Sequence, residues 1–209
     1  MWSWIMVAGT MLVLMNACGR TPPLPTAQDK PTHVVKQASE PVSPILQRLR
    51  MQAERGNVEA QFALAQAYDR GLDVPRDKTE AVRWYRLAAM QGDTFAQNAL
   101  GDNYWEGTGV PKDDREAAQW WRLAAIQGFA PAQHSLGRML SGGGQGVPTD
   151  KTQAYMWLAL SAAQGDEEAG RQSGLLSKQL KPADMMHAKK LVNQWKPSRA
   201  RVTNNKIAQ

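Results

Sequence analysis

Trp84-Tyr85-Arg86-Leu87-Ala88-Ala89-Met90-Gln91-Gly92 returns 36 residues later as Trp120-Trp121-Arg122-Leu123-Ala124-Ala125-Ile126-Gln127-Gly128. A looser copy follows after a further 37, as Trp157-Leu158-Ala159-Leu160-Ser161-Ala162-Ala163-Gln164-Gly165. Self-similarity at a period of roughly 20–50 residues is the mark of a repeat array, in which no single repeat can bury its apolar face alone.

Outward from the nonapeptide, the same punctuation recurs. Val74-Pro75, Val110-Pro111 and Val147-Pro148 lie just upstream of it, where proline cannot disturb a helix interior. Asp77…Glu80, Asp113…Glu116 and Asp150…Gln153 then have capping-box spacing. The aspartate is expected to accept from the N3 amide while Glu or Gln reaches back to the cap's own N–H. Gly56, Gly92, Gly128 and Gly165 close the second helices and permit a left-handed turn. Before each Val-Pro lies another helical pattern; the first is capped by Asn57, carries Ala60, Leu64, Ala65 and Tyr68, and stops at Gly71. Aligned positions mark a core: Leu64, Leu100 and Leu136; Tyr68, Tyr104 and Leu140; Ala81, Ala117 and Ala154; Trp84, Trp120 and Trp157; Leu87, Leu123 and Leu160. Small alanines let paired helices approach, and Trp and Leu fill the space between pairs.

The pattern Ala-x₃-Leu-Gly-x₂-Tyr, Gly-x-Gly-Val-Pro, then Asp-x₃-Ala-x₂-Trp-x₃-Ala-Ala-x-Gln-Gly resembles the Sel-one-like repeat family. The middle copy carries it most fully, with Ala96-Gln97, Leu100-Gly101, Tyr104, Gly107-Thr108-Gly109-Val110-Pro111, Ala117, Trp120, Ala124-Ala125 and Gly128. The first copy has Ala65 for the glycine and Leu72-Asp73 in its loop, and the third has Leu140 for the tyrosine and a longer loop, Gly142-Gly143-Gly144-Gln145-Gly146. The resemblance implies an all-α fold, a right-handed α/α solenoid of about three helix-turn-helix repeats related to tetratricopeptide repeats, with flanking capping helices. The repeats are expected at about 57–91, 93–127 and 129–164 within a domain of 45–196. Ile45, Leu46, Leu49 and Met51 suggest a leading helix. Helices over 166–196 follow the last repeat, with Met185, Ala188, Leu191, Val192 and Trp195 spaced to cover its open end.

The two ends of the chain read differently. Residues 1–17 are mostly apolar and fit the h-region of a signal peptide better than a membrane span. Ala17 before Cys18 resembles the lipobox of bacterial lipoproteins, in which the cysteine is lipidated, although Met15 and Asn16 depart from its usual residues and no Lys or Arg precedes the apolar run. Cleaved secretion and an uncleaved anchor are the other readings. Residues 19–44 hold six prolines among polar residues and read as an extended, disordered tether. From Lys178 onward there are eight Lys/Arg against one acid, so the net +6 of the chain sits in that end and residues 1–177 carry −1. Residues 197–209 are expected to be a basic, disordered tail. Without an aromatic-interleaved basic face, nucleic acid is not an expected partner.

Catalytic chemistry finds little support. Cys18 is the single cysteine, and His33, His134 and His187 lie far apart, so neither a metal site nor a cofactor is expected. The 142–146 glycines lack the Gly-Lys-Ser/Thr end of a phosphate loop. His134 and Ser135 are neighbours on one helix and so point about 100° apart. Asp113-Asp114 and Glu167-Glu168 read as helix-start charges that the helix dipole favours.

Tetratricopeptide-like solenoids bind along the concave face built from the first helix of each pair. Carried onto this sequence, the inward positions are Glu59, Phe62, Gln66 and Asp69, then Phe95, Asn98, Asp102 and Trp105, then His134, Arg138 and Ser141. Phe62 and Trp105 are the sharpest candidates, since large aromatics anchor interfaces. The expectation is a non-enzymatic scaffold or assembly factor, tethered through Cys18 to a membrane and facing the periplasm, or secreted if the lipobox is unused. Its partner would be a peptide or protein. The alternatives are a periplasmic inhibitor or immunity protein for a secreted toxin and, less favoured, an envelope enzyme.

Overall fold

Helices joined by two alternating kinds of turn make up the chain from Ser43 to Ser198. The computed structural model describes residues 43–198 and the backbone of 202–203 and 206–207. The leader, Cys18 and the proline-rich tether to residue 42 lie outside the described residues. In order the helices are α1 (Pro44–Glu54), α2 (Val58–Arg70), α3 (Lys78–Met90), α4 (Thr94–Glu106), α5 (Asp114–Ile126), α6 (Ala130–Gly142), α7 (Lys151–Ala162), α8 (Glu167–Ser177) and α9 (Pro182–Gln194). Each of α1 to α8 packs on its sequence neighbour, most tightly within the pairs α2–α3, α4–α5 and α6–α7. This is the all-α solenoid that the repeats predict. The tail, expected to be disordered throughout, contains an antiparallel pair, β1 (Val202–Thr203) with β2 (Lys206–Ile207).

The turns follow from the residues at the helix ends. Asp77, Asp113 and Asp150 accept from the amides of Glu80, Glu116 and Gln153 and start the second helix of each pair. The returning half of the capping box does not form. The amides of Asp77, Asp113 and Asp150 instead donate to the carbonyls of Tyr68, Tyr104 and Leu140 on the preceding helix. Glu80 and Glu116 are thereby free to accept from the indole N–H of Trp84 and Trp120 one turn later, at 2.8 and 3.0 Å. In the third repeat Gln153 makes no such bond, and the buried Trp157 Nε1 has no acceptor. Gly56, Gly92, Gly128 and Gly165 have φ between +87° and +97°, the left-handed conformation that returns the chain to the next first helix.

The core differs in detail from the aligned positions. Leu64, Leu100, Leu136 and the three alanines at 81, 117 and 154 are fully buried. Trp84 and Trp157 are buried but Trp120 is only half so, and Leu87 is exposed where Leu123 and Leu160 are covered. The more constant core position is the next residue, Tyr85, Trp121 or Leu158, all buried. It packs against the residue after the first-helix leucine. A Cβ added to Gly101 would lie 2.5 Å from the Trp121 ring, and one added to Gly137 would lie 2.7 Å from Leu158 Cγ. Glycine there lets the two helices of a pair approach closely.

Two polar ties connect the pairs. Gln61, Gln97 and Gln133, all buried, donate to Ala53 O, Ala89 O and Ala125 O on the preceding helix, each at 3.1 Å. Their own carbonyls accept from Gln91, Gln127 and Gln164, the glutamines of the opening motif. The arginine of the motif reaches forward: Arg86 donates to the Tyr104 hydroxyl of the next pair at 2.6 Å, and Arg50 of α1 does the same to Tyr68. Leu140 ends this series, because it has no hydroxyl to accept from Arg122.

The C-terminal end departs from expectation. α9 does not cover the open side of α8; it folds back along α7. Ala188 is its one buried residue, while Leu191, Val192 and Trp195 pack on the core of the third repeat. The chain then reaches α5, where the Ser198 amide donates to Ile126 O at 2.8 Å.

Candidate functional site

α2, α4 and α6 begin at equivalent positions of the repeat, and the residues at their starts set what this face presents. Asn57 and Asp93 cap α2 and α4 through the amides of Ala60 and Ala96, and Asp166 caps α8 through Ala169. At α6 the equivalent residue is Phe129, which makes no side-chain cap. A side-chain cap contributes about 0.5–2 kcal/mol, so this repeat forgoes local stability for a ring. Phe129 packs edge-on against Phe95, with centroids 5.1 Å apart. Phe95 lies 5.9 Å from Phe62, which in turn sits 5.7 Å from the buried Tyr85. Three phenylalanines from three successive repeats thus form one row. Phe62 and Phe129 are half-buried, and Phe95 is 57% exposed in its middle.

Toward the other end of the first helices the predicted residues fall into a second group. Trp105 is half-buried against Trp121, 5.9 Å between centroids, with Lys112 Nζ 4.5 Å and the Arg138 guanidinium 6.0 Å from its ring. Asp102 accepts from Trp121 Nε1 at 2.9 Å and from Asn98 at 2.9 Å. Burial pushes the Asp102 carboxyl up to about 6 despite those donors. Asp69 pairs with Lys78. Asp69, Lys78, Tyr85, Asp102, Asn103 and Glu106 line a cleft of about 150 Å³ between the first and second repeats.

His134 joins neither group. Its Nδ1 lies 2.7 Å from Asp166 Oδ2, which also accepts from the Ser161 hydroxyl at 3.0 Å. Burial would raise the Asp166 carboxyl, but the Ala169 amide, Ser161 and His134 outweigh it and hold it below the usual carboxylate range. Ser, Asp and His meet here with the aspartate in the middle, so the imidazole does not contact the hydroxyl and the order differs from that of a Ser-His-Asp triad. Glu59 is exposed, and Gln66 and Ser141 are half-buried on the same helices.

The glycine loop is held in place rather than open to a phosphate. Asp114, buried at the start of α5, accepts from the Gln145 amide at 2.7 Å, and Arg115 Nε donates to Gly146 O. Asp113 is a cap as expected, whereas Asp114 ties down the loop of the next repeat. Among the described residues no group of His, Cys, Asp and Glu could hold a metal ion, and no helix is long and apolar enough to cross a membrane.

Phe62, Phe95 and Trp105 are among the inward positions that the tetratricopeptide pattern marks. Phe129 is not among them, because it stands at a cap position ahead of the inward stripe. The signal was present as the one phenylalanine in a column of Asn57, Asp93 and Asp166.

The Sel1 repeat family model matches residues 58–93, 94–129 and 130–166, which correspond to the three helix pairs. A crystal structure of a Sel1 repeat protein from Oxalobacter formigenes is 39% identical, covers 62% of this chain and 97% of its own, and superposes with a TM-score of 0.57. The crystal structure of c5321, a protective antigen present in uropathogenic Escherichia coli strains and displaying an SLR fold, is 27% identical over 77% of this chain, with a TM-score of 0.55. This chain spans 45% of the length of that protein. No curated protein matches the sequence.

Proposed function

Because this chain belongs to the Sel1 repeat family, whose members are in general protein-interaction scaffolds, we propose that it binds a peptide or protein partner on the face of its first helices, through the row Phe62–Phe95–Phe129. The observation that carries this reading is Phe129. It stands where every other first helix places a capping Asn or Asp, and its ring extends an aromatic row from one repeat to the next. An exposed aromatic surrounded by half-buried neighbours is the usual composition of an interface anchor. The flanking groups are mixed in sign, with Glu59 at one end and Lys112 and Arg138 around Trp105 at the other. Such a lining suits an extended polypeptide with an apolar anchor better than an enclosed small molecule.

In this reading the chain acts as a scaffold or assembly factor of the cell envelope. Cys18 carries a lipid anchor, and the stretch from residue 19 to the start of α1 holds the solenoid away from the membrane. Each buried CH₂ of a lipid chain contributes about 0.8 kcal/mol, so an anchor with several acyl chains would keep the protein at the surface. A lipid-probe label incorporated by the wild type and lost in Cys18→Ser tests the anchor; a label retained by the variant refutes it. For the face, affinity capture from membrane extracts compares the wild type with Phe95→Ala. Phe95 is largely exposed, so the fold survives its removal. Loss of the same partner band is the expected result, and equal recovery removes the aromatic row from the binding site.

A further inference from the structure

The solenoid begins and ends on half a repeat, and the two halves are complementary. Shifted by 36 residues, α1 aligns with α3 and α5, so it is a second helix without its first. Shifted by 37, α8 aligns with α6, so it is a first helix. Its own second helix is missing, because α9 packs on α7 instead. Among the described residues the interface absent at each end is therefore the same one, the tight packing within a pair.

Both unpartnered faces carry the signs of that interface. Ile45 and Gln52 of α1 occupy the positions of Ala81 and Ala88, which are fully buried in their pair, yet Ile45 is 77% exposed and Gln52 is also exposed. Leu49 occupies the position of Tyr85 and Trp121. On α8, Gly174 occupies the position of Gly101 and Gly137, the glycines that receive Trp121 and Leu158. Nothing lies within 4 Å of a Cβ built on Gly174, and the residue is exposed. Glycine inside a helix is destabilising relative to alanine, and no contact among the described residues accounts for it here. The sizes are also matched. α8 carries Ser177 where α6 carries Leu140, and the bulkier Ile45 and Gln52 of α1 stand where the other second helices carry alanines. The charges are opposed: residues 44–55 hold three arginines against one glutamate, and residues 166–177 hold three carboxylates against one arginine.

We propose that a second copy of this chain is the occupant: α1 of one molecule packs on α8 of another as its missing second helix, with Leu49 entering over Gly174. The contact joins different surfaces head to tail, so it propagates along a row of molecules instead of closing on a two-fold axis. It continues the same face from one molecule to the next, independently of what that face binds.

Analytical ultracentrifugation of the full chain in mild detergent tests this with two blocked variants. Gly174→Arg places a long charged side chain in the open space on α8, and Ile45→Glu places a charge on the exposed face of α1. The wild type is expected to gain mass with concentration up to ~100 µM, with less association at high salt. Each variant alone is expected to remain a monomer with the helical circular dichroism of the wild type. Mixed, the two should form dimers and nothing larger, because the intact α1 of Gly174→Arg meets the intact α8 of Ile45→Glu. A wild type that stays monomeric overturns the proposal, as does association that survives both substitutions. Failure of the mixture to dimerise while the wild type associates also overturns it.

Discussion

Position 73 shows how the same site is judged differently in different repeats. Asp73 takes φ +56°, the conformation that Gly109 takes at +74° in the next repeat and Gly146 at +77° in the third. A Cβ on Gly109 would lie 2.3 Å from the Lys78 carbonyl, and one on Gly146 would meet Arg115 at 2.1 Å. Those neighbours open the second helix of the preceding repeat. Asp73, with a side chain of its own, bears the backbone strain of a left-handed residue. Asp73→Gly should stabilise the chain by about 0.5–1 kcal/mol, while Gly109→Ala should destabilise it by about 2 kcal/mol or more. Urea unfolding of both variants measures the contrast, and a neutral Gly109→Ala would contradict the close packing of the loop. Asp102 supplies a second test. Its folded pKa, raised by burial to about 6, exceeds the unfolded value, so ionising it opposes folding. Its contribution to stability is whole below about pH 4 and is lost as pH rises through about 6, a difference of about 1–3 kcal/mol. In Asp102→Asn that pH dependence should flatten, and an Asn at 102 can donate to the buried Asn98 Oδ1, which now lacks a partner. Identical pH profiles for wild type and variant would exclude Asp102 as the source.

At the scale of the helix, stability and binding part company at the start of α6. Phe129→Asp restores the acceptor that α2, α4 and α8 have, within reach of the Ala132 amide. The expected outcome is a gain of about 1 kcal/mol in unfolding free energy together with weaker partner capture. A variant that is stabilised and still captures the partner normally would leave Phe129 without a binding role. The elements themselves were legible in the residues: the caps at Asn57, Asp77, Asp113 and Asp150, the left-handed glycines, and the pairing of helices all follow from local chemistry that each short segment carries. Less legible was the use to which the opening motif puts its polar residues. Gln91, Gln127 and Gln164 bond to glutamines about 30 residues away, and Arg86 to a hydroxyl 18 residues away, so no window the length of one helix contains both partners. The capping box failed in its returning half because a backbone carbonyl of the preceding helix competes for the same amide. The carbonyl of Tyr68, from another helix, took the Asp77 amide first.

For the molecule as a whole, a solenoid couples each repeat mainly to its neighbours, and a local change should stay local. α9 is the exception that binds the third repeat to the second, through Trp195 and the Ser198 amide. Trp195→Ala should cost about 1–2 kcal/mol, less than a fully buried tryptophan because Trp195 is half-exposed. Hydrogen exchange should accelerate in α5, α7 and α9 while α2 and α3 keep their protection. Acceleration spread evenly over all helices would show that the array unfolds as one unit instead.

By itself the sequence determined the repeat, its register, the helix ends and most of the buried positions, because these depend on period, cap chemistry and glycine. Only the tertiary structure decided which residues of the repeated motif face inward, that Phe129 joins Phe62 and Phe95, and that α9 turns back over α7. Those outcomes depend on which of two competing surfaces a helix meets, and the competitors lie in other repeats. Local pattern specifies a helix pair, whereas the packing of one pair on the next selects what is left for a partner.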